Sequence, residues 1–259
     1  MQGNHMLREM LIRFRDGDIT LEDAMKEIEG LRIETIGDFA RIDLGRAMRC
    51  GMPEVVLAEG KEPGHLREIV SGIVAARGIC IVSRLAGSEA GTLAHFAEEQ
   101  GYQVRHNERA RMMVISTGER IPPTGGVVAV ITAGTSDIAV AEEARVIAEE
   151  MGCRVCTAYD VGAAGIHRLF PALRECLEAH AFVVAAGREG TLPAVVAGLV
   201  GRPVIGVPVS TGYGYMGKGR AALASMLQSC SVLTVVNIDA GFTAGASAAL
   251  IANMVVESR

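Results

Sequence analysis

Gly126-Val127-Val128-Ala129-Val130-Ile131 runs, after Thr132, into Ala133-Gly134-Thr135-Ser136-Asp137, and this stretch decides the fold class. An apolar run too short for a core helix and bounded by glycine predicts a strand buried on both faces, with a tight turn into a helix beyond it. The pattern returns downstream. Phe182-Val183-Val184-Ala185-Ala186 empties into Gly187-Arg188-Glu189-Gly190, Pro203 to Val209 into Ser210-Thr211-Gly212, and Val232 to Ile238 into Asp239-Ala240-Gly241. Cys153 to Tyr159, followed by Asp160-Val161-Gly162, reads the same way. Buried strands that each end in such a turn, with a helix after it, describe an open parallel α/β sheet flanked by helices. Ligands of such sheets bind beyond the carboxyl ends of the strands, where these turns lie.

Composition supports this reading. Of 259 residues, 49% are apolar, only 4% are aromatic and none is Trp. Ala, Val, Leu and Ile must therefore build the core, and the length suits one large domain or two modest ones. A net charge of −5 gives no long-range attraction for a polyanion, and few aromatics leave little for base stacking, which sets nucleic acid aside as a partner. No apolar run is long enough for a membrane helix; Gly198 to Val209 is broken by Arg202, Pro203 and Pro208. The charged N-terminus carries no secretory signal, and residues 1–6 read as a remnant ahead of a natural start at Met6. Cysteines 50, 80, 153, 156, 176 and 230 show no disulfide-framework rhythm, so a cytoplasmic location is expected.

Two domains are predicted, 6–120 and 127–259, joined by a linker at 121–126, because Pro122-Pro123 and Gly125-Gly126 beside Arg120 halt regular structure. In the first, a stripe of Leu7, Met10, Leu11 and Phe14 predicts one helix, and Thr20 is the N-cap of another over Leu21 to Leu31. Strands are expected at Val55–Leu57 and Ile79–Val82, with helices at His65–Ala76 and Thr92–Gln100. In the second, Ala141, Ala144, Ile147, Ala148 and Met151 make an apolar helix face, a helical stretch after Asp160-Val161-Gly162 reaches His180, and helices also fit Leu192–Val200, Arg220–Ser229 and Ala244–Val256.

Several turns can carry chemistry, each with a plainer reading beside it. Gly134-Thr135-Ser136-Asp137 offers a close backbone approach and free amides for a phosphate, or else Ser136 or Asp137 simply caps the next helix. Gly212-Tyr213-Gly214-Tyr215-Met216-Gly217 matches the dinucleotide fingerprint with Asp239 downstream, which keeps a nicotinamide oxidoreductase in view, yet it follows a late strand rather than the first. Cys153-Arg154-Val155-Cys156 lacks the second pair or nearby His of a metal site and reads as two structural thiols. Cys230 either completes an apolar helix stripe with Leu223, Met226 and Leu227 or stands free between Ser229 and Ser231 as a nucleophile. His167-Arg168, after Gly162 and Gly165, makes a basic pair suited to an anion.

The order of these motifs resembles the aminoimidazole ribonucleotide carboxylase/mutase, or PurE-like, superfamily. Gly134-Thr135-Ser136-Asp137 is similar to its Gly-Ser-x-Ser-Asp phosphate turn, His167-Arg168 to its Ala-His-Arg, and Ala185-Ala186-Gly187 with Leu192-Pro193 to its third signature. The resemblance is closer to one branch, the LarB-type carboxylase/hydrolases of nickel-pincer nucleotide synthesis. That branch is marked by Asp160-Val161-Gly162 with Gly165-Ile166-His167-Arg168-Leu169, by Ala186-Gly187-Arg188-Glu189-Gly190, by Val207-Pro208 with Gly212-Tyr213-Gly214, by Leu227-Gln228-Ser229-Cys230, and by Val236 to Phe242. The first half matches more loosely, through Gly51-Met52-Pro53-Glu54-Val55 and Gly60-Lys61, and Tyr215 to Lys218 does not align, which leaves a role for Lys218 in binding phosphate or carboxylate open.

The resemblance implies a flavodoxin-like three-layer catalytic domain and a reaction on nicotinic acid adenine dinucleotide with CO2. Pyridinium C5 is carboxylated and the phosphoanhydride hydrolysed, giving a pyridinium-3,5-biscarboxylate mononucleotide and AMP. It implies Cys230 as the nucleophile and Glu189 as the base. Substrate binding falls to Gly134, Thr135, Ser136, Asp137, Asp160, Gly162, Gly165, His167, Arg168, Gly187, Arg188, Gly190, Ser210, Gly212, Tyr213, Gly214, Asn237 and Asp239. No tightly bound organic cofactor is implied, Mg²⁺ is left open, and the assembly implied is a homo-octamer. Carboxylation of aminoimidazole ribonucleotide and a non-catalytic nucleotide-binding module are the competing readings.

Overall fold

The computed structural model describes residues 2–28, 33–36, 40–118 and 121–258. The chain divides into two compact units, 1–120 and 121–259.

The first unit opens with helices α1 (Gln2–Asp16) and α2 (Leu21–Ile28). Helix α1 thus begins within the stretch set aside as a remnant, whereas the last residues of the second predicted helix, 29–31, lie outside the described ones, as does Arg120. Thr20 caps α2 as expected, its Oγ1 accepting the Asp23 N–H at 3.1 Å. Next come a hairpin, β1 (Ile33–Ile36) and β2 (Ala40–Asp43), then α3 (Arg46–Cys50), β3 (Val55–Leu57), α4 (Pro63–Arg77), β4 (Ile79–Ser83), α5 (Gly87–Glu99), β5 (Gln103–Asn107) and β6 (Met112–Ser116). The sheet order is β3-β4-β6-β5, parallel between β3 and β4 and antiparallel elsewhere. Leu66, Ile69, Val70 and Ile73 of α4 and Leu93 of α5 bury against Cys80, Val82, Met113 and Ile115. Neither strand of the β5–β6 hairpin was anticipated: β5 is polar and mostly exposed, whereas β6 is buried throughout.

The second unit comprises β7 (Val127–Thr132), α6 (Ile138–Glu150), β8 (Arg154–Ala158), α7 (Leu169–Glu175), β9 (Ala181–Ala186), α8 (Thr191–Leu199), β10 (Val204–Pro208), α9 (Arg220–Leu227), β11 (Thr234–Val235) and α10 (Gly241–Glu257). Its five-stranded sheet, all parallel, runs β11-β10-β9-β7-β8. The chain starts in the middle, moves out to β8, and returns across β7 to β9. The connections therefore diverge between β7 and β9, the topological switch point where ligands of such sheets bind. Every residue of β7, β9 and β10 is buried. Ala129, Ile131, Phe182 and Val184 pack with Leu169, Leu173, Leu192, Val196 and Met226 of α7 to α9. The alternate residues point to the other face, covered by α6 and α10.

Glycine brings α6 and α10 together. A Cβ on Gly245 would lie 2.4 Å from the Ala144 carbonyl oxygen, and Gly241 sits against Val140 as closely. The small-residue face of α10 is thus used inside the chain, and Ala244, Ala248, Ala249 and Ala252 are all buried.

Two predicted elements are shorter than expected. The Val232–Ile238 run yields only the two residues of β11. That strand is paired on one side alone, Val232 is 94% exposed, and Asp239 turns the chain away at φ 56°. The helix expected to reach His180 stops at Glu175, and His180 instead accepts the Val127 N–H on its Nδ1 at 3.1 Å.

The cysteine reading also needs correcting. Cys156 and Cys176 form a disulfide from β8 to the end of α7, with Cα atoms 5.9 Å apart. Only Cys153 of the Cys-x-x-Cys pair remains a buried thiol. The bridge closes a loop with a sequence separation of 20, worth about 3 kcal/mol through the unfolded chain. Thiol titration of unreduced, denatured protein is expected to find four free thiols; six would mean the pair is open. At the α6–α10 contact, Gly245→Val should destabilise the fold by about 1–3 kcal/mol or more, measured by urea unfolding, and an unchanged midpoint would contradict the packing described.

Candidate active site

The turns after β7, β8, β9 and β10 meet at the switch point. After β7, Ala133 N–H still bonds to the Ala185 carbonyl of β9 at 2.9 Å. The chain then passes through a 3₁₀ turn at Thr135–Asp137. Asp137 gives α6 itself no side-chain cap, but its carboxylate caps the 3₁₀ turn that leads into it. Its Oδ2 turns back to accept the Gly134 N–H at 2.9 Å, and its Oδ1 accepts the Thr211 hydroxyl at 3.4 Å from the turn after β10. Only 4% of Asp137 is exposed. Burial raises its pKa above its ordinary value, against the opposing pull of the Gly134 and Thr211 hydrogen bonds.

Missing side chains hold the turns close. A Cβ on Gly187 would lie 3.0 Å from both Asp137 Oδ1 and Thr211 Oγ1, and one on Gly212 would lie 2.5 Å from the Gly187 carbonyl oxygen. Gly162 abuts the Ala133 carbonyl in the same way, at 2.6 Å. Gly190, at φ 69°, ends the β9 turn against the backbone of Ala222 in α9. At Gly162, Gly190 and Gly212 neighbouring backbone occupies the place of a Cβ, and at Gly187 the side-chain oxygens of Asp137 and Thr211 crowd it.

The remaining predicted residues arrange around that cluster. Asp160, at φ 58°, is held by its N–H to Thr132 Oγ1 at 3.0 Å. Its Oδ2 accepts from Arg168 Nη1 at 2.8 Å, and Gly165 leaves the space into which Arg168 folds back. His167 is exposed beside it. Asp239 Oδ1 accepts the Ser210 N–H at 2.8 Å, so it ties the β10 turn to the loop after β11, while Asn237 Oδ1 accepts the Ile238 N–H. Arg188 stacks on Tyr213, with Cζ 4.2 Å from the ring centroid. Gly212 to Gly217 does not open a helix: residues 209–219 form a loop before α9, unlike the strand–turn–helix of a dinucleotide fingerprint. Thr132 and Thr211 were not singled out from sequence as site residues. Both sit at or just past the end of a buried strand, and their hydroxyls became informative only once the turns were seen together.

Cys230 is a free thiol, exposed in the loop beyond α9 rather than on a buried helix stripe, and its supposed stripe neighbour Leu227 is 66% exposed. Ser231 anchors this loop to α8, its Oγ donating to the Ala194 carbonyl at 2.9 Å. Ala194 lies in the first turn of α8, the helix that starts just after Glu189 and Gly190. Glu189 is itself exposed, with Oε1 accepting the Thr191 hydroxyl at 3.4 Å. The Cys230 loop and the Glu189 turn are therefore attached to the same end of α8, whereas neither residue bonds to the Asp137 cluster. Of the other free thiols, Cys80 and Cys153 are buried, and burial pushes the Cys153 thiol up to about 11. Among the described residues, no three His, Cys, Asp or Glu side chains gather to hold a metal ion, and no helix is long and apolar enough to cross a membrane.

A parallel sheet of order 2-1-3-4-5 with glycine-pinned turns at its switch point is the catalytic-domain architecture of the AIR carboxylase family, whose model matches residues 127–259. A second family model, the LarB/PurE-like N-terminal domain, matches residues 33–117, leaving α1 and α2 outside it. The chain belongs to the LarB family within the PurE-like superfamily. It is 40% identical over 257 residues to an uncharacterized protein of Methanocaldococcus jannaschii, covering 96% of this chain and 97% of that one. It is also 32% identical over 128 residues to an N5-carboxyaminoimidazole ribonucleotide mutase of the same organism, covering 48% of this chain and 75% of the mutase.

Burial favours the protonated form of Asp137 in the folded state, so its contribution to stability is complete below the ordinary carboxylate pKa and is lost as pH rises through the raised folded value. The stability of the wild type relative to Asp137→Asn should accordingly fall as pH is raised through that window, in paired thermal melts. A difference that grows with pH would mean the carboxylate is the favoured form.

Proposed function

We propose that this PurE-like carboxylase-type enzyme carboxylates the pyridinium C5 of nicotinic acid adenine dinucleotide with CO2 and hydrolyses its phosphoanhydride to release AMP. The observation that carries this reading is Cys230, an exposed free thiol on a loop anchored to the first turn of α8, directly after Glu189. An aminoimidazole is already an enamine and needs no thiol to react with CO2. A pyridinium ring does. Addition of the Cys230 thiolate at C4 breaks aromaticity and leaves an enamine at N1–C6=C5, whose C5 attacks CO2. Glu189 then takes the proton from C5, C5=C6 re-forms, and expulsion of the thiolate from C4 restores the pyridinium. Water must next attack the phosphoanhydride. Asp137, Asp160 and Asp239 are the carboxyls these turns offer to activate it; Asp160 is paired with Arg168, and Asp137 and Asp239 each accept from a backbone amide.

The strand-end turns would hold the dinucleotide, with His167 and Arg168 facing one anionic group. Mg²⁺ would act on the phosphates and is assigned no ligand. The proposed assembly is a homo-octamer and the proposed compartment the cytoplasm, where a disulfide such as Cys156–Cys176 is uncommon. The mutase similarity supports a second reading, carboxylation chemistry on an aminoimidazole ribonucleotide, but it leaves the exposed Cys230 without a task.

Incubation with each substrate and labelled bicarbonate separates the readings. The dinucleotide should gain one carboxyl group and release AMP; label in the imidazole nucleotide alone would overturn the proposal, and label in neither would leave only a binding module. Glu189→Gln should stall with the ring bound to Cys230, visible as near-ultraviolet absorbance and as added mass on the intact protein. Accumulation of a carboxylated dinucleotide without AMP would instead make Glu189 the hydrolytic base, and wild-type turnover would remove it from the mechanism.

A further inference from the structure

Lys218 found no role in the chemistry above, and Arg188 was placed in the site without a reason for its geometry. Both stem from backbone in contact with Gly212. A Cβ on Gly212 would lie 3.5 Å from Arg188 Cα, and the Lys218 N–H donates to the Gly212 carbonyl at 3.0 Å. Lys218 adopts φ 58° there, followed by Gly219 at φ 76°. Among the described residues neither cation faces a carboxylate, whereas Arg145, Arg154 and Arg168 are each ion-paired. Two unpaired cations rooted on one glycine, at the carboxyl ends of β9 and β10, make an anion site of a different kind from the Arg168–Asp160 pair.

The stacking of Arg188 on Tyr213 sets what kind of anion fits. A guanidinium carries its N–H donors in its plane, and an aromatic ring attracts its face. With the Tyr213 centroid 4.2 Å from Arg188 Cζ, one face is occupied while the edge donors stay available for a bidentate contact. Tyr213 is 78% exposed and its hydroxyl has no partner among the described residues, so the ring alone does this work. Lys218, whose backbone N–H is bonded to the same glycine, supplies a point charge. A planar fork and a point charge carried on backbone that shares Gly212 match a diphosphate, with one phosphate on each.

We propose that Arg188 and Lys218 form a two-cation clamp for the diphosphate of the ligand, and that Tyr213 is the positioning residue that holds Arg188 for it. This rests on the reading that the site takes a dinucleotide. The clamp can be tested without that reading, by calorimetric titration with inorganic pyrophosphate and with ADP-ribose, which carries the diphosphate but no pyridinium ring. Arg188→Ala and Lys218→Ala should each weaken ADP-ribose about tenfold or more. Arg188→Lys should restore little, because the fork is lost. Tyr213→Ala should weaken it about two- to fivefold and Tyr213→Phe should not. In an Arg188→Ala background Tyr213→Ala should change nothing.

A Tyr213→Ala loss that persists without Arg188 would place the ring on the ligand and overturn its positioning role. Wild-type protein that binds neither probe, or Arg188→Ala and Lys218→Ala variants that bind both normally, would overturn the clamp. Loss of ADP-ribose affinity in these variants, in a protein that does not carboxylate the dinucleotide, would keep the clamp and remove the proposed reaction. Normal carboxylation with unchanged probe affinity in the variants would do the reverse.

Discussion

The Asp137 carboxyl is the constraint on which the candidate site depends. It is buried where the turns after β7, β9 and β10 meet, accepting from Gly134 within its own turn and from Thr211 across the cleft. Burying a carboxyl is costly unless it is protonated or well bonded, and here burial prevails over its hydrogen bonds and raises its pKa. A carboxyl in that state holds its proton more tightly than an exposed one would. The same contact leaves no room for side chains around it. Gly187 and Gly212 lie against Asp137, Thr211 and one another so closely that a Cβ on either would strike its neighbours. Specificity at this edge of the sheet thus begins as backbone packing.

From that cluster the arrangement extends along α8. The Gly190 contact with Ala222 joins the β9 turn to α9, and the Ser231 hydroxyl joins the loop beyond α9 back to Ala194. Helix α8 therefore carries Glu189 at its start and holds the Cys230 loop by its first turn. The disulfide from Cys156 to Cys176 spans the segment bearing Asp160, Gly162, Gly165, His167 and Arg168. Each part of the proposed chemistry has its own mechanical tie to the sheet.

Most of the parallel sheet was legible in the sequence because β7, β9 and β10 are buried on both faces and so read as unbroken apolar runs. Where that condition fails, reading fails with it. The β11 run is apolar but lies at an edge, with Val232 almost wholly exposed, and β5 is polar because it is mostly exposed. The helix expected to reach His180 stops at Glu175, and Cys176 just beyond it is bonded to β8 by a disulfide with no signal in the spacing of the cysteines. The site turns were found by their glycines and by resemblance to a family. The Asp137–Thr211 bond was not, since it joins residues 74 apart in the chain. Cys230 shows the limit of periodicity: its i, i+3, i+4 and i+7 pattern with Leu223, Met226 and Leu227 is real, yet the helix stops at Leu227 and leaves the thiol outside it.

If the Cys230 loop and the strand-end turns serve one ligand, occupancy of the turns must change the accessibility of the thiol. The rate of Cys230 alkylation by iodoacetamide, followed by peptide mass spectrometry with and without nicotinic acid adenine dinucleotide, measures this in the wild-type protein. Cys230 should react faster than the buried Cys80 and Cys153, and saturating dinucleotide should slow it at least about tenfold while leaving the exposed Cys50 unaffected. Binding of the dinucleotide with no change in the Cys230 rate would separate the thiol from the site and contradict its role as the nucleophile.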